Sequence, residues 1–140
     1  MKKNLLTIFT ILIPMIAACQ SIPVNFKDCP VDQMFVTAET EPKWNCKTIS
    51  MVDYMNKFLQ EKNIEKIENG KIIIGILIYP DGKTCCYSFT NLTRTALNPE
   101  KFKEIVNKMP NWTPAKQNGK EITYLKQQLL SIRNGKFIMN

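Results

Sequence analysis

Cysteine is the residue type with the greatest chemical potential in this chain of 140 residues, which contains five cysteines and no histidine. Histidine is the commonest general base and metal ligand, so its absence removes the usual routes to acid–base catalysis and zinc binding. The Cys-x-x-Cys spacing typical of metal sites is absent from the sequence, and the two cysteines nearest to each other, Cys85 and Cys86, are adjacent. No nucleophile–base pair or carboxylate pair at helical spacing is found either. The sequence therefore predicts a protein that is not an enzyme and has no cofactor or metal site.

The first cysteine, Cys19, follows a segment typical of export signals. Lys2 and Lys3 precede a largely apolar run over residues 5–18, which is too short to span a membrane comfortably. The run ends in Ile-Ala-Ala-Cys at residues 16–19 and resembles the bacterial lipobox. This resemblance implies cleavage before Cys19 and lipidation of its thiol and new amino group. The expected location is the cell envelope, with the lipid anchor in the outer membrane and the protein facing the periplasm. An ordinary secretory signal with an incidental Cys19 is the alternative.

The other four cysteines, Cys29, Cys46, Cys85 and Cys86, are disulfide candidates, because an even number of cysteines in an exported chain favours disulfides. A bond between the adjacent pair would need a distorted backbone, since neighbours on a strand point to opposite faces. A Cys29–Cys46 bond would close a small loop, and a bridge from that segment to Cys85 or Cys86 is the other possibility. A thiol-based redox protein is a weaker alternative, which a free cysteine of low pKa would indicate.

The chain is basic before and after removal of the leader. Removal of residues 1–18 takes away two of the 19 basic residues and none of the 12 acidic ones, which leaves a net charge of +5. The lysines are scattered, so a solvated basic surface is the simplest interpretation, and anionic lipid or cell-wall polymer would suit it. Nucleic acid is not expected as a partner of an exported chain.

The strongest structural signal is a β-hairpin over residues 71–93. Seven of the eight residues 72–79 are Ile, Leu or Tyr, which suit a half-buried strand, and Gly75 is the exception. Pro80-Asp81-Gly82 then predicts a three-residue turn with glycine in the left-handed conformation. A β-bulge at Cys85-Cys86 is predicted to bring Tyr87 and Phe89 to the face of the alternate isoleucines.

Two helices flank this hairpin. The first is predicted over residues 50–62 with Ser50 as N-cap, and the second begins at Asn98-Pro99-Glu100 and ends before Pro110. The apolar stripe of the second helix should pack on the isoleucine face of the sheet; its residues are Phe102, Ile105, Val106 and Met109. Trp112 and Tyr124 are interpreted as packing residues rather than ligand-stacking ones.

A third strand over residues 121–132 completes the expected fold, with a possible continuation to Ile138. The fold class is α+β: a three-stranded antiparallel sheet with two helices on one face, in the order helix-strand-strand-helix-strand. The expected organisation is a lipoprotein signal peptide at residues 1–18, a tether or irregular arm at residues 19–47 and a folded domain at residues 48–140.

Over about residues 50–132 the chain resembles the C-terminal domain of TonB-type energy transducers. The long segment MPNWTPAKQNGK at residues 109–120 is similar to that family's "MP.W.Pa..nGk" signature. The other matching motifs are, in chain order, Gly70-Lys71, Asp81-Gly82-Lys83 and Leu97-Asn98-Pro99-Glu100. This chain has a lipobox in place of the family's inner-membrane helix and shows no Pro-rich spacer, so only the partner-binding half of the family's function carries over.

The resemblance implies strand addition, in which an extended segment of an outer-membrane receptor pairs with the last strand. The implied partner-binding residues are Ile122, Tyr124, Lys126, Gln128, Leu130 and Ile132. The expected function is thus a lipid-anchored envelope module that binds extended peptides of outer-membrane transport proteins. The alternative is a structural envelope lipoprotein that acts by self-association, for example as a homodimer, or by cell-wall contact.

The lipobox generates the first testable prediction. Mass spectrometry of the mature N-terminus should find Cys19 carrying diacyl or triacyl modification, because the Ile-Ala-Ala-Cys segment supplies the residues that this processing recognises. Substitution of Cys19→Ala should leave the protein uncleaved or release it from membranes. An unmodified N-terminus that begins at another residue would show that the lipobox is not used.

Overall fold

A computed structural model describes residues 21–62, 64 and 67–139 of the chain. The leader and Cys19 lie outside the described residues. The elements are β1 Val24–Asn25, β2 Lys43–Trp44, α1 Met51–Glu61, β3 Gly70–Ile78, β4 Thr84–Asn91, α2 Pro99–Asn107, β5 Trp112–Thr113, β6 Ala115–Gln117, β7 Lys120–Ile122, β8 Tyr124–Arg133 and β9 Lys136–Ile138. The predicted α+β class is confirmed, but the main sheet has five antiparallel strands in the order β1-β4-β3-β8-β9. The expected three-stranded sheet was wrong.

Two short strands account for the difference. At one edge, β1 pairs with β4. At the other edge, β9 returns alongside the end of β8 after a two-residue turn in which Asn134 and Gly135 have φ of 51° and 72°. Asn-Gly with both residues at positive φ is the signature of the tight hairpin turn that suits the twist of strands. The chain therefore reverses at this point, so residues 136–138 do form a strand but as a separate one, β9, and not as part of the third strand.

The turn between β3 and β4 is built as predicted. The Tyr79 N–H donates to the Lys83 carbonyl over 2.9 Å, and Gly82 has φ of 83°. A Cβ on Gly82 would lie 2.4 Å from the carbonyl oxygen of Trp112, while the Trp112 N–H donates to the Gly82 carbonyl over 2.9 Å. The glycine is thus required twice, for its conformation and for the close approach of the segment that follows α2.

The bulge in β4 lies later than predicted. Cys86 pairs with Ile76 but Ser88 pairs with Gly75, so Tyr87 is the extra residue. Phe89 consequently lies on the isoleucine face opposite Ile74, as expected.

Tyr87 was expected on the isoleucine face, and this was wrong, because its ring packs on the opposite face with Leu77 and Leu125. Gly75 explains the position of the bulge: a Cβ there would lie 2.3 Å from the Ser88 Oγ. Glycine within a strand often marks a bulge for this reason. Because the bulge follows Cys86, Cys85 remains on the same face as Leu77.

Both helices contribute to one core on the isoleucine face. The Ser50 side chain accepts from the Asp53 N–H over 3.1 Å, and the Asn98 side chain accepts from the Glu100 N–H over 3.0 Å, so both predicted N-caps are confirmed. The predicted stripe of α2 is buried in this core. The most completely buried large side chains are Phe89, Phe102, Phe137, Met55, Ile72, Ile74, Ile76, Leu77, Ile78, Ile105, Leu130 and Ile132.

The N-terminal segment crosses the opposite face of the sheet. A disulfide joins Cys29 to Cys85, with 5.8 Å between their Cα atoms. Cys29 packs with Leu77 and Leu125 in a second, smaller apolar cluster. Later in the same segment, Phe35 forms a parallel β-bridge with Tyr124, at the edge of β8 that faces away from β3. Segment 21–44 is therefore fastened to both sides of the sheet, since β1 lies beside β4.

The core on the helix face generates the second prediction. Phe102 is fully buried and stacks on Phe89 with 4.5 Å between the ring centroids. Phe102→Ala should lower the free energy of unfolding by about 3–5 kcal/mol, because it removes apolar burial and leaves a cavity. Urea denaturation measures this, with Leu92→Ala as control, since Leu92 is 44% exposed. Equal, small effects of the two substitutions would contradict the assignment of the stripe to the core.

Candidate functional site

The six residues implied in partner binding lie on two strands. Ile122 ends β7, and the other five are alternate residues of β8. Tyr124, Leu130 and Ile132 are buried, whereas Lys126 and Gln128 are half-buried. The three buried side chains support the sheet from within, so a partner would meet the backbone of this strand more than these side chains.

The direction of the backbone groups of β8 follows from a contact with the N-terminal segment. The Leu125 N–H donates to the Phe35 carbonyl over 2.8 Å, and the Phe35 N–H donates to the Thr123 carbonyl over 2.9 Å. Backbone groups alternate in direction along a strand, and the pairing of β8 with β3 has no shift. The amide and carbonyl groups of Gln127 and Leu129 therefore point away from β3, toward the outer edge.

That outer edge is occupied at both ends and open between them. Phe35 covers residues 123–125, and β9 pairs with residues 131–133. Residues 126–130, here called the open stretch, have no strand beside them in the described part of the chain. An unpaired strand edge is a template for pairing with another chain.

The neighbouring edge formed by β9 is closed by a side chain from α1. The Asn56 amide nitrogen donates to the Phe137 carbonyl over 3.0 Å, and the Asn56 amide oxygen accepts from the Phe137 N–H over 2.8 Å. One side chain thus satisfies both backbone groups as a further strand would. At the opposite edge of the sheet, β1 has only two residues. The open stretch is consequently longer than the edge that β1 presents.

Side chains around the open stretch provide both an apolar and a polar surface. Leu129 is 38% exposed and is paired with Ile73, on the face away from the helices. Gln128 donates from its side-chain amide to the Leu129 carbonyl over 3.1 Å. None of the ion pairs among the described residues involves Lys126. An added strand would find a cation, an amide and an exposed leucine here.

The free cysteines differ in environment. Burial raises the pKa of Cys86 to about 12, so this thiol stays protonated at neutral pH. Cys46 is half-buried, and the hydrogen bond with Thr48, 3.3 Å away, lowers the pKa of its thiol. A free cysteine of lowered pKa is the feature expected of a thiol-based redox protein. The only other free thiol of the described residues, that of Cys86, is buried in the core. No thiol pair suited to redox exchange is therefore formed by these two residues.

Other classes of site receive no support from the described residues. Among residues 21–62, 64 and 67–139, no group of three or more Cys, Asp or Glu side chains is arranged to hold a metal ion. Within the same ranges, no helix is both long and apolar enough to cross a membrane. Comparison with known proteins found no matching family model, no similar curated protein and no similar solved structure.

Sequence reasoning missed three components of this site. The role of β9 was indicated by Asn134-Gly135, a hairpin signature that we interpreted as part of a continuing strand. The contacts of Phe35 and Asn56 had no such signal, because each joins residues more than 80 positions apart along the chain. The spacing of apolar residues in α1 predicts only which face of the helix is buried, so it gives no indication that the Asn56 amide binds a distant strand.

The closure of β9 generates the third prediction. Asn56→Ala should lower the free energy of unfolding by about 1–3 kcal/mol, because it leaves buried backbone groups of Phe137 without partners. Thermal and urea denaturation measure the loss. Gln60→Ala is a matched control on the same helix, since Gln60 is exposed. An equal stability for both variants would show that Asn56 does not close this edge.

Proposed function

We propose that this protein is a lipid-anchored binding module of the cell envelope that pairs an extended peptide with residues 126–130 of β8. The peptide is a segment of an outer-membrane transport protein, as the TonB-like order of motifs implies. The observation that carries the proposal is the open stretch, which has no strand on its outer side in the described part of the chain, on a sheet whose neighbouring edge is closed by Asn56.

The backbone groups at the open stretch support weak, reversible binding. The N–H and carbonyl of Gln127 and the N–H of Leu129 have no strand partner among the described residues, while the Leu129 carbonyl already accepts from Gln128. Three bonds at about 0.5–1.5 kcal/mol each contribute roughly 1.5–4.5 kcal/mol. That range reaches about the free energy of a millimolar dissociation constant. Apolar contact with Leu129 adds to it, since this side chain is partly exposed.

A membrane anchor would make such weak binding useful. Multiple acyl chains on Cys19 would hold the protein firmly at the membrane surface. Confinement of both partners to one membrane raises their effective concentration, so a second contact forms without any gain in intrinsic affinity. The net charge of +5 left after removal of residues 1–18 supports the same placement next to anionic envelope components.

The fourth prediction tests the edge directly. Gln127→Pro removes an amide that points outward, so it should weaken peptide binding about two- to tenfold while the protein stays folded. Gln127→Ala keeps that amide and serves as the matched control. Titration with receptor plug peptides, followed by amide chemical shifts, measures the affinity. Equal binding by the two variants, or shifts confined to residues outside 122–132, would contradict the proposal.

The neighbouring position provides a second control. Gln128 has its backbone amide directed at β3, where Gln128 pairs with Ile74. Gln128→Pro should therefore break the sheet and destabilise the fold, in contrast to Gln127→Pro. Denaturation curves of both variants separate loss of binding from loss of structure.

A further inference from the structure

We infer that the open stretch accepts a single extended segment and excludes pairing with the same edge of a second copy of this chain. This inference rests on the proposed function and specifies the form of the partner. It is carried by the contacts at the two ends of the open stretch, Phe35 on residues 123–125 and β9 on residues 131–133.

A second copy would have to pair its own residues 126–130 with those of the first. In a symmetric antiparallel pair centred on Gln128, the outward groups of Gln127 and Leu129 would meet those of Leu129 and Gln127 in the copy. Residues 131–133 of one chain would then face residues 125–123 of the other. Both of these segments already have a neighbour, β9 on one and Phe35 on the other.

The two neighbours would compete for the same space. A paired strand lies about 4.7–4.9 Å from the strand beside it, which is the position that β9 and Phe35 each occupy next to β8. A shift of register by two residues in one direction would require the Leu125 amide, which is bonded to Phe35. A shift in the other direction would place Gln127 against residue 131 of the copy, where β9 is paired. Parallel pairing would set one β9 against the other. No pairing of this edge with itself is therefore possible without loss of a flanking contact.

A lone segment has no such neighbours and fits between the two ends. Five strand residues span about 17 Å, so a peptide of this length can follow the whole open stretch. Phe35 illustrates the mode of binding, because this residue belongs to no strand and yet makes two backbone hydrogen bonds along this edge, one with Thr123 just before β8 and one with Leu125 of β8. The open stretch continues the same row of outward backbone groups.

The exposed side chains indicate which peptides fit best. Alternate residues of an added strand would lie on the same face as Leu129, which is 38% exposed and adjacent to Ile73. Apolar residues at those alternate positions would bury this surface. On the other face, the Gln128 side chain already donates to the Leu129 carbonyl and would compete with a peptide donor for that oxygen. The structure therefore points to an extended segment with apolar residues at every second position.

The experiment combines a titration with a measurement of mass. The probe is a capped seven-residue peptide of alternating valine and threonine with a glutamate at each end. Amide shifts of the protein should change at residues 126–130 and fit one peptide per chain, and sedimentation should give a monomer with and without peptide. A dimer whose Gln127 and Leu129 amides are protected from hydrogen exchange in the absence of peptide would overturn the inference.

A substitution at Phe35 tests the role of the flanking contact. Phe35→Pro removes the N–H that donates to Thr123, and it should extend the shifted region of the protein to residues 123–125. Phe35→Ala keeps the donor and should leave the footprint at residues 126–130. An identical footprint for the two variants would show that Phe35 does not limit the site.

The outcomes for the inference and for the proposed function are separable. Binding of the valine–threonine probe by a monomer, without binding of receptor plug peptides, would support the inference and reject transport proteins as partners. Dimerisation through residues 126–130 would reject the inference and favour the self-associating lipoprotein. Failure of every peptide to shift residues 126–130 would reject both.

Discussion

The need of backbone N–H and C=O groups for partners is the constraint on which this structure depends. A five-stranded sheet leaves such groups exposed at its edges, and each exposed row can pair with another chain. The protein meets this constraint by different means at different places. Phe35 covers the beginning of β8, the return of the chain in β9 covers its end, and the Asn56 side chain covers β9 in turn. The open stretch is what remains between these contacts.

The opposite face of the sheet links this arrangement to the disulfide. The bulge at Tyr87 leaves Cys85 facing the N-terminal segment, where it bonds to Cys29. Cys29 packs on Leu125, the residue whose amide binds Phe35. A glycine at position 75 permits the bulge because no side chain competes with Ser88. The local geometry of β4 thus contributes to holding the segment that limits the open stretch.

Local signals in the sequence predicted the parts of the fold that depend on local physics. Ser50 and Asn98 cap their helices, and Gly82 forms the turn, because each of these features is decided within a few residues. The α2 stripe follows from the helical period alone. The strand count was wrong because β1 has only two residues and β9 only three, too few for an alternating pattern to show.

The remaining errors have physical reasons of two kinds. Gly75 was visible as the one exception in an apolar run, but the bulge depends on its cross-strand partner Ser88, which only the register reveals. The candidate site is harder still to predict from the sequence, because Phe35 and Asn56 form hydrogen bonds with residues that are distant along the chain. The third strand was predicted over residues 121–132; residues 124–132 do lie in β8, but residues 121 and 122 belong to β7, which pairs with β6. The limits of the open stretch are set by segments that sequence patterns do not connect to β8.

Two side-chain amides show how the same chemistry closes one edge and leaves another available. Asn56 makes two hydrogen bonds, of 2.8 and 3.0 Å, to one residue that is 1% exposed, so its removal would leave two buried groups unpaired. Gln128 makes one bond of 3.1 Å, to the carbonyl of a residue that is 38% exposed. Water or an added strand can replace this single bond at little cost, because neither group is sealed from solvent. The difference in burial makes β9 a closed edge and β8 an accessible one.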